Sequence, residues 1–248
     1  MNYTDPDEIF PVVDEEGNKI GEAPRKVCHD GKSMLLHPVV HIHLFNPKGE
    51  LFLQKRSMLK DIQPGKWDTS VGGHISPGES VEKALAREAE EELGLRNLDK
   101  ISLGRYIWES ERERELVYVH YSESDEFPSV NRSEIDEGKF WKLADIEKHL
   151  GQELFTTNFE YEFGLILLPW LRNKKAMSRT VKILALQNEF EAMLIGDILK
   201  ERGIPHILKS YHDSVYDGLW QTDSSWGHLE APEDYRDEIL DIFNNMSR

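Results

Sequence analysis

Three glutamates, Glu88, Glu91 and Glu92, follow a glycine-bearing turn in the segment GHISPGESVEKALAREAEEELGL, residues 73–95. At about 100° per residue, the apolar stripe of Val81, Ala84 and Leu85 runs on into these three acids. Like charges one helical turn apart repel, and carboxylates that face the protein body lose hydration. Both costs call for a divalent cation, and hard oxygen donors favour magnesium or manganese. Glu90 projects to the opposite, solvated side of the helix. Arg87 stands four residues before Glu91, where a permanently charged guanidinium holds a carboxylate in place and lowers its pKa. Glu79 anchors the turn before the helix, and Ser80 is placed to cap it. The chemistry such a site supports is attack of water on a polarised phosphorus centre.

The fixed positions are Gly73, then Glu79, then Arg87, Glu88 and Ala89, then Glu91 and Glu92, and finally Gly94 and Leu95. This arrangement resembles the Nudix box at every fixed position. The resemblance implies an α/β/α sandwich around a mixed sheet and an enzyme that cleaves a diphosphate linked to another group. It also implies that Glu88, Glu91, Glu92 and the backbone carbonyl of Gly73 hold magnesium or manganese, with Arg87 steering the carboxylates. In this family the base that completes activation of water often lies outside the box. Glu113, Glu115, Glu134 and Glu137 are the candidates here. Glu113 and Glu115 are preferred, because residues two apart beside the strand LVYVHY emerge on one face.

Upstream, RSMLKDIQPGKWDTSVGGH resembles the Nudix branch that includes isopentenyl diphosphate isomerase. That likeness makes Arg56 and Lys60 the grip on substrate diphosphate, with Lys66 a weaker third. It also raises a second metal site, because the isomerase pairs histidines with two glutamates. His37, His41, His43 and His74 are expected to converge, with His37, His74, Glu113 and Glu115 as the ligand set. The isomerase carries a catalytic cysteine immediately before the box glycine, and this chain has Gly72 there. The expected activity is therefore magnesium-dependent hydrolysis of a nucleoside diphosphate linked to another group, or of a similar diphosphate. An isomerase of isopentenyl diphosphate and a non-catalytic nucleotide sensor are the alternatives.

The elements that must position these residues follow from hydropathy and turn chemistry. Residues 8–25 read as a hairpin around DEEGN, and PVVHIHLF and LFLQKR read as a second hairpin around NPKGE. Residues 60–73 read mostly as loop. ISLGRYIWES, ELVYVHY and KFWKL read as strands, with helices over 143–150 and 158–171. After the basic connector NKKAMSRT the pattern restarts: a strand VKILALQ, a helix capped by Asn188 and ended by Gly203, a strand IPHILKSY, and a closing helix APEDYRDEILDIFNN. The expected division is a Nudix domain over 1–173 and a small α+β, ferredoxin-like domain over 178–248. The latter resembles a bacterial domain of unknown function described as signal-transducing. Trp220 and Trp226 are expected in its satellite core.

The 248-residue chain carries a formal net charge of −16, which argues against a nucleic-acid polymer as partner, since that affinity depends on lysine and arginine. A small-molecule diphosphate is the expected partner, and the family resemblance makes a homodimer plausible. A single cysteine, Cys28, excludes an internal disulfide and points to a reducing, cytoplasmic setting. The longest apolar run, FGLILLPWL, is too short to span a bilayer.

Overall fold

A computed structural model describes residues 5–60, 62–132, 135–177, 180–211 and 225–246. The chain divides into two compact units, Met1–Leu167 and Leu168–Arg248.

The first unit opens with an antiparallel ribbon of β1 (Ile9–Val13) and β2 (Lys19–Pro24). A single helical turn, α1 (Arg25–Cys28), then delivers the chain to His29. The main sheet has seven strands. Its centre is β3 (Leu36–Phe45), buried along its whole length. There follow β4 (Leu51–Arg56), β5 (Trp67–Asp68) and β6 (Val71–His74). Helix α2 (Val81–Leu93) crosses to β7 (Lys100–Glu109) and β8 (Arg114–Glu123). Then come β9 (Ile135–Trp141), α3 (Leu143–His149) and α4 (Thr157–Glu162), with a π-helical segment over Phe163–Leu167. β3 runs parallel to β8 from Leu36↔Arg114 to Phe45↔Glu123, while the other pairings in the sheet are antiparallel. The sheet is mixed, as expected.

Alternation on β3 sends Val40, Ile42 and Leu44 to one face, where they pack with Phe52, Val71 and the Ala84, Leu85, Ala89 and Leu93 side of α2. Val39 faces the other way, with Val117 and Val119 and, around them, Tyr106, Trp108 and Ile166. Full burial of each such large apolar side chain contributes about 1.5–3 kcal/mol. α2 begins at Ser80, whose side chain accepts from the Lys83 amide. It ends where Gly94 turns left-handed at φ 67°, which glycine alone adopts without cost.

Three sequence expectations shift. β3 and β4 share only the pair Phe45↔Leu51 rather than a full hairpin. β4 pairs instead along its length with β9, from Leu51↔Trp141 to Arg56↔Ile135, and β3 turns its edge to β6. The turn residues were legible, but which strand fills an open edge is a long-range choice. Residues 60–73 contain β5 and most of β6, both too short to show a period. β9 begins at Ile135, earlier than the expected strand KFWKL.

The second unit contains α5 (Leu168–Met177), β10 (Thr180–Leu186), α6 (Glu189–Glu201), β11 (Ile207–Ser210), β12 (Gly227–Pro232) and α7 (Arg236–Met246). Its three strands order as β10-β12-β11, antiparallel throughout. β12, the central strand, is not anticipated from the sequence: its alternation of Leu229 and Ala231 with His228 and Glu230 is short, and Ala231 and Pro232 read there as the start of the closing helix, which begins only at Arg236. Asn188 caps α6 by accepting from the Glu191 amide. Ile183, Leu186, Ile195, Leu199, Leu229 and Ile239 form its core, with Trp226 packed against it. Trp220 lies outside the described residues. No helix among the described residues is long and apolar enough to cross a membrane.

Candidate active site

An open cleft of about 310 Å³ gathers most of the residues singled out by the sequence. Gly73, Arg87, Glu88, Glu91 and Glu92 line it from β6 and α2. Pairing of Val40 with Gly73 and His41 with Gly72 locks the glycine turn onto β3. Gly73 leaves the Glu88 side chain its place: a Cβ there would lie 1.9 Å from the Glu88 carboxyl carbon, so Glu88 would have to move. Glu92 sits on the buried side of α2, and its Oε2 accepts from Gln54 Nε2 at 3.1 Å and from the Gly72 amide at 3.2 Å. The Glu91 side chain is 58% exposed, so it is the carboxylate most open to an incoming ligand.

Arg87 grips Glu79 first and Glu91 least, whereas the sequence reading gave it Glu91. Its Nε and Nη2 donate to the two oxygens of Glu79, each at 2.9 Å, and Nη2 also donates to the His74 carbonyl at 2.9 Å. Nη1 donates to Glu88 at 2.7 Å and to Glu91 at 3.2 Å. The hydrogen bond from Arg87 holds Glu79 below the usual carboxylate range, and Glu79 in turn keeps the guanidinium more firmly charged than usual. One fork thus ties the turn to the helix and aims two of the three box carboxylates.

The histidines divide. His29, His37 and His74 bring ligand atoms within 4.8 Å of one another. Phe10 stacks on His74 at 4.0 Å between ring centroids. The Nδ1 of His37 meets the Leu35 carbonyl at 3.0 Å, which fixes the proton there and leaves Nε2 a lone pair. The Nε2 atoms of His29, His37 and His74 are buried with no hydrogen-bond partner among the described residues. His29 Nδ1 lies 3.1 Å from Glu113, and His37 Nε2 lies 3.9 Å from Glu115. Burial, aided by the neighbouring cationic groups, pushes His29 down to about 3 and His37 to about 4, and His74 also falls well below its usual value. Burial raises Glu113, and burial together with Glu113 pushes Glu115 up to about 8. Three neutral imidazoles with orphaned nitrogens beside two carboxyl groups are a costly arrangement unless an ion fills it. The donor set fits a divalent transition metal.

The expected ligands His37, His74, Glu113 and Glu115 are brought together, and His29 joins them. His29 escaped the sequence reading because it sits in a loop after a single helical turn, where no periodicity marks it. His41 and His43 do not converge with the others. At roughly 3.3 Å per residue, His41 stands about 13 Å along β3 from His37, too far to share an ion. Both turn instead to Glu162, fully buried at the end of α4. His41 Nδ1 is 2.9 Å from Oε2, and His43 Nε2 is 2.5 Å from Oε1. Burial alone would discharge His41. Instead the contact with Glu162 raises His41 to about 9, and the two histidines hold Glu162 well below the carboxylate range.

Arg56 and Lys60 both line the cleft. Arg56 is oriented by Asp68, with Nη1 2.8 Å from Oδ2, and by the Ile62 carbonyl at 3.0 Å from Nε. Glu137 is exposed on β9 and does not line the cleft, and Glu134 lies outside the described residues.

A family model described as the NUDIX domain matches residues 35–159. The chain belongs to the Nudix family. Among its curated relatives, this Nudix protein is 34% identical to an uncharacterized Nudix hydrolase of Pseudomonas aeruginosa, over 54% of this chain and 78% of the relative. It is 30% identical to an isopentenyl-diphosphate Delta-isomerase 1 of Photorhabdus laumondii, over 63% of this chain and 93% of the relative. Among solved structures, a MutT protein from Methanosarcina mazei aligns with a TM-score of 0.48 at 26% identity, over 56% of this chain and 96% of that one. His29 and Glu162 both fall outside the matched Nudix span.

Proposed function

We propose that this Nudix protein is a divalent-metal-dependent hydrolase of a small-molecule diphosphate, of the kind in which a nucleoside diphosphate is linked to another group. The observation that carries this reading is the placement of Glu88, Glu91 and Glu92 around Gly73 in the same cleft as Arg56 and Lys60. A magnesium or manganese ion held by Glu88, Glu91, Glu92 and the Gly73 carbonyl would neutralise phosphate charge and polarise the attacking water. Arg87 keeps the carboxylates aimed. Arg56, set by Asp68, and Lys60 grip the phosphates. Glu115 is the first choice for exchanging the proton of water, because its buried carboxyl group lines the same cleft as the box carboxylates. A panel of nucleoside diphosphate compounds incubated with magnesium tests the reading. Release of phosphorylated products from at least one member supports it, and no turnover across the panel overturns it.

A second reading is favoured by the cluster of His29, His37 and His74 beside Glu113 and Glu115, which fits a second metal, and by the relative named as an isomerase. It makes the protein an isomerase of isopentenyl diphosphate. Gly72 stands against it, because the turn carries no thiol and Cys28 is buried. Formation of dimethylallyl diphosphate would establish it.

A further inference from the structure

The box and the cluster of His29, His37 and His74 leave one buried constellation without a task. On β3, His41 and His43 share the carboxylate of Glu162, and Thr69 closes the inner end with Oγ1 3.4 Å from His43 Nδ1. A carboxylate taken out of water is expensive even when paired, and an apolar side chain would pack here without that expense. Phe159 and Phe163 do so on either side of the same segment. The outer end of the constellation is what gives it a use. His41 lines the cleft. With Nδ1 committed to Glu162, its ring turns the Cδ2–Nε2 edge toward Gly72, where a Cβ would lie 3.4 Å from Cδ2 and 3.5 Å from Nε2. Because residue 72 has no side chain, that edge opens onto the cleft, next to Gly73 and to the Gly72 amide that binds Glu92.

We propose that His41 is a catalytic residue whose Nε2 hydrogen-bonds a phosphate oxygen of the diphosphate seated over Gly72, with Glu162 and His43 as positioning residues that fix the ring. The inference rests on the diphosphate reading above and adds to it a contact made by neither the box nor the Arg56–Lys60 pair. Glu162 stands 121 residues from His41 in sequence, so the contact exists only once α4 has docked against β3.

The test is calorimetric titration of the full chain with methylenediphosphonate in the presence of magnesium. Loss of a hydrogen bond to a charged phosphate predicts roughly 10-fold or weaker binding in His41→Gln. Gly72→Ala leaves His41 and Glu162 in place and covers the exposed edge, so it should also weaken binding several-fold, and it decides the matter if His41→Gln fails to fold. In 15N-histidine spectra, the His41 Nε2 resonance of the wild-type chain should move on saturation with ligand. Glu162→Gln should alter that resonance before any ligand is added. Affinity within twofold of wild type in both His41→Gln and Gly72→Ala, or a His41 resonance that stays still on saturation, would overturn the assignment. A wild-type chain that does not bind the diphosphonate at all overturns the diphosphate reading itself, and the role of His41 with it.

Discussion

At the residue scale, the buried carboxyl groups separate into kinds that experiment can tell apart. Glu92 faces the cleft and accepts from Gln54 and the Gly72 amide. Glu92→Gln keeps its volume and removes its charge, so the folded protein should lose magnesium-dependent turnover by about 100-fold or more. Circular dichroism and a kinetic assay check both halves of that statement. Glu115 is raised to about 8 by burial and by Glu113. The folded state therefore holds a proton that the unfolded chain releases from about 4.5 upward. This contribution to stability is complete below about 4.5 and is lost as pH rises through about 8. Denaturant titrations of metal-free protein should show stability falling between pH 6.5 and 8, with a shallower fall in Glu115→Gln. His41, raised to about 9 by Glu162, adds a decline of the same sign, so some slope should persist in that variant.

At the scale of elements, the site is a junction of one strand, one turn and one helix. β6 pairs with β3, Gly73 lies directly against Glu88, and Arg87 ties the turn to α2 through Glu79 and the His74 carbonyl. Gly73→Ala would place a methyl 1.9 Å from the Glu88 carboxyl carbon, so Glu88 must move. Magnesium affinity should fall about 10-fold or more, with a much smaller change in melting temperature, as measured by calorimetry with magnesium alone and by thermal denaturation. Most of this junction was legible in the chain, because the box residues are close in sequence and α2 has clear caps at Ser80 and Gly94. The pairing of β4 with β9 was not, since the hairpin turn NPKGE gives no information about the edge that forms later. His29 was hidden for the same reason: its partners His37 and His74 are brought to it by β3 and β6, not by its own neighbourhood.

At the scale of the whole molecule, the cleft residues all lie in the first unit, and the second has its own three-stranded sheet and core. A chain of residues 1–177 should therefore fold cooperatively and bind methylenediphosphonate with magnesium within about twofold of the full chain. Matched calorimetric titrations of the two chains check this, and a large loss would assign the second unit a part in binding. The formal net charge of −16 bears on the proposed diphosphate at this scale too, because a phosphate would have to be met locally, by Arg56, Lys60 and a bound cation, rather than by the surface field. The sequence by itself determined the family, the glutamate helix with its glycine turn, and the mixed α/β class, because those depend on residues within a few turns of one another and on hydropathy periods. Only the tertiary structure decided which histidines share a site, that Arg87 serves Glu79 before Glu91, and that a glutamate at the end of α4 lies between two histidines of β3. Those outcomes depend on strand pairing and helix docking, which bring distant side chains within 4.8 Å or less of one another and leave no local mark on the chain.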